Sequence, residues 1–536
     1  MTDKSEVQTT NMVRRGRKPE RGPRSWTRWA IAAGLIAYTL RLVGVPVADL
    51  DMFHEMALIR EALAEGRIPT EDVYAYTPTV NPVVHHEWAT GAVLYLIAVG
   101  AGLGGAGVMA LRFVLMAGIG VCGYWCARLR GAPPVVLAVL APVGIALASV
   151  GMSPVRAQLF TFLFVGVLLV LFELDRRGRV WWLALWLPLY VVWLNLHGGF
   201  VVGAGLFGLY TLEKFGRVLA ETRSVRNAAL RTRHLLGAGV AMAFLPLVNP
   251  YGLAYLPYLW NALLLDRPMV IEWAPIWHPT MRLEGVLVYA LSLLFLVYAI
   301  VRMGKPAQMP GLLLVIATAL LAAETRRLFP VYAIVWFSYL PGYLAHTELR
   351  YMLDRAWRRH AAPIAGVVLL CSVVLIADSI SKRFWHLRVP TVGAEGELHY
   401  PVGAVDYLSA HGFSGNLMTP FDAGSYVLWN LYPAVKVGMD SRYEVAYRAE
   451  TVEEHVRIYD GAPDWEALLD SYATDAVLVP ENSPLDSLIS VSDGSRPPRW
   501  QRVYSDDAYA IYARADVARR LPVSDRTGEQ IMGRFP

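Results

Sequence analysis

The 536-residue sequence is strongly apolar: 55% of its residues are hydrophobic, 17% are charged, and the mean hydropathy is +0.38. Ordinary globular domains carry about 25% charged residues, so this composition excludes a soluble protein of this size, as well as disordered, collagenous and disulfide-stapled chains. The net charge of +5 averages two unlike parts. Residues 395–516 hold 20 acidic and 8 basic residues, a net charge of −12, which leaves the remainder at +17.

A basic tail, residues 1–28, precedes the first apolar segment, Trp29–Val47. Because arginine and lysine stay on the cytoplasmic side of a membrane, the tail is predicted to be cytoplasmic. The segment is close to the roughly 20 residues that a spanning helix needs, and no small-residue cleavage site follows it, so we predict a retained span rather than a signal peptide. The helix then runs outward, which makes residues 48–87, the first outer loop, extracytoplasmic.

Ten further apolar segments follow, and clusters of arginine and lysine between them mark the connections that face the cytoplasm. They lie near residues 108–127, 133–150, 157–174, 180–196, 199–213, 235–249, 284–302, 310–325, 328–345 and 362–379. The pattern predicts a polytopic α-helical membrane protein with about eleven spans over residues 29–380. The glycine-rich segment 88–104 breaks the parity and is short for a span, so we predict a re-entrant or interfacial helix there.

Residues 395–516 have the pattern of a soluble α/β domain, predicted to be extracytoplasmic, and the tail 517–536 shows no strong period and is predicted to be loosely structured. Runs of apolar and β-branched residues predict strands, and helical spacing of apolar residues predicts helices between them. The predicted strands are Val435–Met439, Ala476–Val479, Gln501–Tyr504 and Tyr509–Tyr512, and the predicted helices are Val402–Ala410, Thr451–Tyr459 and Trp465–Tyr472.

The first outer loop opens with Asp49 and Asp51, followed by His54 and Glu55, which are candidate substrate-binding residues together with His86 and Glu87 at its end. A carboxylate so close to the bilayer costs desolvation energy unless it binds a cation, forms an ion pair or does acid–base chemistry. One aspartate can simply cap the amphipathic helix predicted over Met52–Glu65. We assign the cap to Asp49, which leaves Asp51 as the candidate chemical group.

The same loop ends with His85, His86 and Glu87. Two adjacent histidines do not face one way on a helix, so only one, His86, is expected to point at a site. Asp51, His86 and Glu87 are residue types that bind Mg, Mn or Zn, but no ligand spacing enforces a metal site. A divalent cation, Mg or Mn, is therefore a possible cofactor.

Arginines also lie at predicted outer helix ends: Arg156 in the second outer loop, and the pair Arg326 and Arg327. Arg156 either snorkels to lipid head groups or binds a phosphate. The doubled arginine without lysine favours phosphate or pyrophosphate recognition at the leaflet boundary.

Further polar residues lie at the same predicted outer side, namely Asn195, His197 and Glu272. Burying a polar group in a membrane-embedded hairpin costs free energy, which binding of a substrate can offset. These three are therefore candidate substrate-binding residues. In the outer domain, Asp440 and Arg442 either form an internal salt bridge or contact an acceptor glycan. Because the charges lie at helix ends and not at the bilayer midplane, where a transporter would place them, they suit a substrate that is half lipid and half anion.

The layout and its motifs resemble the GT-C class of integral-membrane glycosyltransferases, which includes oligosaccharyltransferases, protein O-mannosyltransferases and lipid A aminoarabinose transferases. The shared layout is a cytoplasmic N-terminus, the acidic motif DLD (Asp49–Asp51), a short second outer loop Ser153–Arg156, about eleven spans and a C-terminal outer domain. Locally, the sequence looks like a bacterial branch of this class in DLDMFHEM, IPTEDVYAYTP followed by HHEW, WLNLHGGF, LVNPYG and VKVGMDSRYE. The resemblance implies that the protein lies in the bacterial cytoplasmic (inner) membrane.

In this class the acidic residue of the first outer loop is a general base or a metal ligand, and the sugar donor is a lipid phosphate. The resemblance implies these roles for Asp51 and, less directly, for Asp49. The chain departs from the oligosaccharyltransferases because its second outer loop holds Arg156 without an acidic pair and its C-terminal domain has no WWD motif. Both departures argue against asparagine-linked transfer and weaken the expectation of a metal ion.

The predicted function is transfer of a sugar from a polyprenyl-phosphate donor to a glycan, lipid or protein acceptor on the outer face of the membrane. Asp51 is expected to take the acceptor proton, while Arg156 or the Arg326–Arg327 pair neutralises the leaving phosphate. Membrane lipids are further expected partners, and nucleic acid is not. Two alternatives stay open: a non-catalytic scaffold or binding protein of an envelope-polysaccharide system, and a lipid-linked glycan flippase or polymerase.

Overall fold

The computed structural model describes residues 25–44, 46–152, 154–265, 271–393, 398–490 and 499–536, so most of the predicted basic tail lies outside the described residues. Within these described ranges, fourteen α-helices cover the apolar part of the chain. They are α1 (Ser25–Val43), α2 (Leu50–Glu65), α3 (Trp88–Tyr95), α4 (Gly104–Leu129), α5 (Pro134–Ser149), α6 (Gln158–Arg176), α7 (Trp182–Leu196), α8 (Phe200–Thr222), α9 (Val225–Phe244), α10 (Tyr255–Leu264), α11 (Leu283–Met303), α12 (Leu312–Glu324), α13 (Phe329–Leu344) and α14 (Glu348–Ser381).

Each of the eleven predicted apolar segments corresponds to one of these helices. Within the described ranges, four helices, α4, α6, α11 and α14, are long and apolar enough to cross a bilayer, and a fifth span results if the bent pair α9 and α10 counts as one. The predicted number of about eleven exceeds this, because helices such as α5, α7 and α12 have only 13–16 residues, fewer than the roughly 20 that a straight span needs.

Connections with basic residues meet at one end of the helices. The guanidinium of Arg130 donates to the Glu173 carboxylate (2.8 Å) and to the Pro310 carbonyl (2.9 Å). The Gly311 amide donates to Glu213 (2.8 Å). These bonds join residues of α6 and α8 to the connections after α4 and before α12, which groups these ends as the sequence alternation requires. That this end faces the cytoplasm stays a prediction.

Segment 88–104 forms helix α3 and one π-turn, Leu96–Gly100, which together are too short to span a bilayer. The helix packs against α2 and the end of α7: Thr90 Oγ1 donates to the Leu196 carbonyl (2.6 Å). Gly91 allows this approach, since a Cβ atom there would lie 2.4 Å from the Glu55 carbonyl oxygen. The segment is therefore too short to count as a candidate span by length, and its re-entrant or interfacial placement stays a prediction.

Over residues 398–490 and 499–536, the C-terminal domain is a six-stranded mixed sheet with helices, in the strand order β2-β1-β3-β5-β4-β6. Its elements are α15 (Val402–Ala410), β1 (Gly415–Met418), α16 (Gly424–Leu431), β2 (Val435–Val437), α17 (Tyr443–Ala446), α18 (Ala449–Tyr459), α19 (Trp465–Ser471), β3 (Ala476–Pro480), α20 (Pro484–Ile489), β4 (Trp500–Ser505), β5 (Tyr509–Arg514), α21 (Ala515–Ala518) and β6 (Ser524–Asp525). The four predicted strands and three predicted helices are present with end shifts of at most two residues. Strands β1 and β6 and helices α16, α17, α20 and α21 were not predicted.

The C-terminal tail is ordered by contacts, so the prediction of a loosely structured segment 517–536 is wrong. Strand β6 pairs with β4, and the Ile531 carbonyl accepts a hydrogen bond from Thr391 Oγ1 (2.8 Å). The ring of Phe535 lies edge-on to Phe53 of α2, with centroids 5.7 Å apart. The aromatic anchor near the end of the chain explains the order, because it adds to the buried cluster around α2.

The first outer loop is bound to the edge of the C-terminal sheet. Strand β2 is the edge strand, and its Val437 amide donates to the Tyr74 carbonyl (3.0 Å), while the Tyr76 amide donates to the Val437 carbonyl (3.1 Å). Thr77 Oγ1 donates to the next carbonyl, that of Gly438 (2.5 Å). The loop thus satisfies backbone groups that an edge strand would otherwise expose.

A buried ion cluster fixes the same contact. Arg442 donates to both carboxylate oxygens of Asp440 (2.7–2.8 Å) and also to Asp72 of the first outer loop. Tyr447 donates its hydroxyl to Asp440 (2.8 Å). Of the two interpretations of Asp440 and Arg442, the structure shows the internal salt bridge, extended by a second carboxylate from the loop.

Candidate functional site

Asp49 caps the helix that begins the site. Helix α2 starts at Leu50, two residues earlier than predicted, and Asp49 Oδ1 accepts a hydrogen bond from the Asp51 amide (3.2 Å). Its other oxygen, Oδ2, forms an ion pair with Arg156. Burial raises the pKa of Asp49 to about 6, against the opposing effect of Arg156, so the carboxylate is still ionised at pH 7. Both oxygens of Asp49 are therefore engaged in structural contacts.

Asp51 lies one residue into the helix and has a different environment. Its Oδ1 accepts a hydrogen bond from Ser441 Oγ (2.9 Å) and lies 3.4 Å from His54 Nε2. The side chain is 41% exposed although protein atoms crowd around it, as expected for a group that faces a cavity. Burial alone would raise the pKa of Asp51, but the hydrogen bond from His54 and the charge of Arg156 outweigh it and lower the pKa. Asp51 is thus an ionised carboxylate with access to solvent.

Two arginines share one carboxylate on the opposite wall. Arg156 Nη1 donates to Glu272 Oε1 (2.6 Å), and Arg327 Nη1 lies 3.5 Å from Glu272 Oε2. The amide of Gln158 faces Arg327, and with its oxygen turned toward the guanidinium it accepts at 2.7 Å. Burial lowers the pKa of Arg327, whereas the carboxylates beside Arg156 outweigh its burial and raise its pKa. Of the two cations, Arg327 has the weaker compensation by nearby carboxylates.

Glu87 is held by two histidines. His86 Nε2 lies 3.0 Å and His197 Nε2 lies 3.4 Å from Glu87 Oε1. The Gly199 amide donates to His197 Nδ1 (2.9 Å), so the proton of a neutral His197 is on Nε2 and points to Glu87. Burial lowers the pKa of His197 to about 4, which keeps it neutral at pH 7. Although burial alone would raise the pKa of Glu87, the two histidines lower it.

Glu55 belongs to helix α2 and lies next to Glu87. Its side chain is buried, with 4% of the residue exposed. Burial and the adjacent negative charge of Glu87 raise the pKa of Glu55 well above its ordinary value. Because the pKa of Glu87 is lowered and that of Glu55 is raised, Glu55 is the protonated member of the two carboxyl groups. This pair holds one negative charge and one proton.

These groups line a single cavity of about 320 Å³, which includes its open mouth. It lies at the end of the helices opposite to the basic connections, where α2, α3 and the start of α6 meet. The lining residues are Asp49, Asp51, Met52, Glu55, Glu87, Leu94, Val155, Arg156, Ala157, Gln158, His197 and Arg327. The cavity thus combines carboxylates, one imidazole and two guanidinium groups with an apolar floor.

Seven of the twelve predicted site residues line this cavity, and five do not. His54, His86 and Glu272 contact lining residues from behind. Asn195 is used elsewhere: it accepts from Trp88 Nε1 (2.8 Å) and donates to two backbone carbonyls. Arg326 points away and donates to Thr280 Oγ1 (3.0 Å). Asn195 holds helices together in this structure, and the arginine pair is divided between a cavity residue and a surface residue.

Two residues whose side chains hydrogen-bond in the site were not predicted, Gln158 and Ser441, nor were the apolar lining residues. Gln158 follows Arg156 by two positions in SPVRAQLF and begins the apolar helix α6. An amide at the predicted outer end of an apolar helix is a signal that could have identified it. Ser441 belongs to the Asp440–Arg442 motif, but its contact with Asp51 spans 390 positions of the chain and leaves no local pattern.

The possible metal set of Asp51, His86 and Glu87 does not fit these positions. Both ring nitrogens of His86 are within hydrogen-bond distance of protein groups, Nδ1 with the Tyr258 hydroxyl (2.7 Å) and Nε2 with Glu87. Asp51 faces His54 and Ser441 instead. Over the described ranges, no group of three or more histidine, cysteine, aspartate or glutamate side chains is arranged to hold a metal ion. We therefore derive no step through a metal.

Comparison with known proteins finds similarity among solved structures. No family model matches the sequence, and no curated protein matches it. Among solved structures, the chain is similar to the crystal structure of ArnT from Cupriavidus metallidurans bound to undecaprenyl phosphate, with 14% sequence identity and a TM-score of 0.43. The match covers 92% of this chain and 98% of that chain. The residue roles proposed below rest on the contacts within this chain.

Proposed function

We propose that this protein is a membrane glycosyltransferase that moves a sugar from a polyprenyl-phosphate donor to a hydroxyl group of an envelope acceptor. One observation carries the proposal: a solvent-accessible carboxylate, Asp51, and an incompletely neutralised arginine, Arg327, line the same cavity. The cavity lies at the predicted outer end of apolar helices, where a lipid-carried phosphate would be presented. The resemblance to GT-C enzymes around Asp49–Asp51 points in the same direction.

Arg327 is the best candidate for the phosphate. Arg156 already has two carboxylate partners, Asp49 and Glu272. Arg326 bonds to Thr280 and does not line the cavity. Arg327 lies farthest from its carboxylate, at 3.5 Å, so an arriving phosphate would supply a closer anion. This narrows the three arginines predicted from the sequence to one.

Asp51 is the candidate general base. An acceptor oxygen attacks the anomeric carbon and forms the new bond, while the bond from that carbon to the phosphate oxygen breaks and leaves its electron pair on polyprenyl phosphate. The acceptor proton passes to Asp51, and Arg327 stabilises the charge on the leaving phosphate. Direct attack inverts the anomeric carbon. Asp49 cannot replace Asp51, because Arg156 and the helix cap occupy both of its oxygens.

Binding of polyprenyl phosphate to the full-length protein in detergent tests the donor class. A ligand at 100 times its dissociation constant stabilises the folded protein by about 2.7 kcal/mol, so undecaprenyl phosphate should raise the melting temperature. Arg327→Gln should remove that increase, and the matched control Arg326→Gln should keep it. Undecaprenol, the same lipid without its phosphate, should give no increase in the melting temperature.

The outcomes separate this proposal from its rivals. A lack of any shift with wild-type protein contradicts a polyprenyl-phosphate donor. Equal losses in the two arginine variants contradict the assignment of Arg327. A chain whose biological role survives both Asp51→Asn and Arg327→Gln, but not loss of the C-terminal domain, would be a scaffold and not an enzyme.

A further inference from the structure

A serine of the C-terminal domain contacts the candidate base. Ser441 lies in the connection between β2 and α17, and its hydroxyl donates to Asp51 Oδ1 (2.9 Å). A second serine, Ser425 of α16, lies behind it, with the two hydroxyl oxygens 2.8 Å apart. The Ser441 amide also donates to Ser425 Oγ (3.3 Å). The two serines and Asp51 therefore form a short hydrogen-bonded chain.

The direction of these hydrogen bonds follows from the number of protons that the hydroxyl groups carry. An ionised carboxylate only accepts, so the single proton of the Ser441 hydroxyl points to Asp51. The 2.8 Å contact between the serines must then be donated by Ser425. Each hydroxyl therefore has one orientation. The bond to Oδ1 also fixes the orientation of the Asp51 carboxylate. Within the described ranges no group bonds to the other oxygen, Asp51 Oδ2, which leaves it available to an acceptor.

The position of Ser441 is fixed from both sides along the chain. On either side of it, Asp440 and Arg442 form the buried ion cluster with Asp72 of the first outer loop. Behind it, α16 lies so close that a Cβ atom at Gly424 would be 1.9 Å from the Met439 carbonyl oxygen. A serine held so rigidly loses little side-chain entropy when it orients a carboxylate, as precise positioning requires.

We propose that Ser441 is a positioning residue for Asp51, so that the C-terminal domain completes the active site in the first outer loop. The inference rests on the proposed function of Asp51 as the base. Ser441 holds Oδ1 and thereby turns Oδ2 toward the cavity. The domain contributes to catalysis through this bond and not only through acceptor binding.

The test compares Ser441→Ala and Ser441→Thr in the full-length protein. The measured product is polyprenyl phosphate, released from a mixture of polyprenyl-phosphate sugars in the presence of an envelope extract. Loss of one hydrogen bond to a charged group should lower kcat about tenfold, with KM for the lipid and the melting temperature unchanged. Ser441→Thr keeps the hydroxyl and should retain most of the rate. Ser471→Ala, at an exposed serine of the same domain, is the matched control and should match wild type.

A double variant distinguishes this inference from the function on which it rests. If Ser441 acts through Asp51, adding Ser441→Ala to Asp51→Asn should cause no further loss of product. A wild-type rate for Ser441→Ala overturns the inference and leaves the proposed function intact. A loss that Ser441→Thr does not restore, together with a lower melting temperature, overturns it as well, because it shows a purely structural role. A wild-type rate for Asp51→Asn refutes the proposed function itself.

Discussion

Asp49 and Asp51 are separated by one residue at the start of helix α2, yet only Asp49 is bonded to a guanidinium group, that of Arg156. Asp49 also caps the helix, while Asp51 faces the cavity and bonds to Ser441. Two neighbouring carboxylates thus have different environments, one structural and one accessible. This division is the basis for assigning the chemistry to Asp51.

The first prediction separates these two aspartates by their effect on stability. Asp49→Asn keeps a residue that can cap a helix but loses the charge paired with Arg156. We expect it to lower the free energy of unfolding by about 1–3 kcal/mol, since Arg156 then loses the more buried of its two carboxylate partners and keeps only Glu272. Asp51→Asn should change it by less than about 0.5 kcal/mol, because that side chain is half-exposed. Denaturation in detergent measures both, and equal effects would contradict the division.

The second prediction concerns the buried cluster that docks the C-terminal domain. Arg442→Met leaves Asp440 and Asp72 buried without a cation, which should cost about 3–5 kcal/mol. We expect faster hydrogen exchange at the amides of residues 74–77, which pair with or lie beside β2. Arg448→Met, at an exposed arginine of the same domain, is the control. Unchanged exchange in Arg442→Met would show that the cluster does not hold the loop.

The third prediction is a pH dependence due to His197. Its pKa is lowered to about 4 in the folded protein, against about 6.5 in an unfolded chain. Between these values the unfolded chain binds a proton that the folded protein does not, so stability falls as the pH decreases from about 6.5 to about 4. The full difference is about 3 kcal/mol.

Melting temperatures of His197→Gln measure this effect against wild type. The variant should show a smaller decrease between pH 6.5 and pH 4, because glutamine does not titrate. Other buried histidines, such as His455, contribute to the decrease in both proteins, so the difference between the two curves is the relevant quantity. His278→Gln, at an exposed position, should behave like wild type. Parallel curves for His197→Gln and wild type would contradict the prediction.

The fourth prediction concerns the C-terminal tail. Phe535 is partly buried against Phe53 of helix α2, so Phe535→Ala should lower the free energy of unfolding by about 1–2 kcal/mol. The tail should also become accessible to carboxypeptidase. Met532→Ala, at a side chain that is 77% exposed, should have neither effect. A protected tail in Phe535→Ala would show that other contacts order it.

The sequence allowed the arrangement of apolar helices and the polar end of the site to be predicted, because both follow from local patterns. Apolar length gives the helices, and basic clusters assign the connections to two ends. The acidic opening of the first outer loop was identified because carboxylates next to an apolar segment are costly. The number of spans could not be fixed, since several apolar helices are shorter than a bilayer is thick.

Contacts distant in the sequence could not be predicted. Arg326 and Arg327 are neighbours with the same chemistry, and only the packing of a short 3₁₀ turn decides that Arg327 faces the cavity. The residue type and position of Asn195 predict a substrate-binding residue, but its amide bonds to Trp88 and to two backbone carbonyls. The approach of Ser441 to Asp51 depends on the docking of a whole domain, for which no periodic pattern exists.

Release of polyprenyl phosphate by Asp51→Asn tests the central claim most directly, because this product is common to every donor sugar and acceptor. Wild-type protein, Asp51→Asn and Asp49→Asn are incubated with mixed polyprenyl-phosphate sugars and an envelope extract, and the released lipid phosphate is quantified by mass spectrometry. We predict that Asp51→Asn releases at least about 100-fold less than wild type, as expected for loss of a general base, while still binding undecaprenyl phosphate. Release at the wild-type rate by Asp51→Asn would contradict the account.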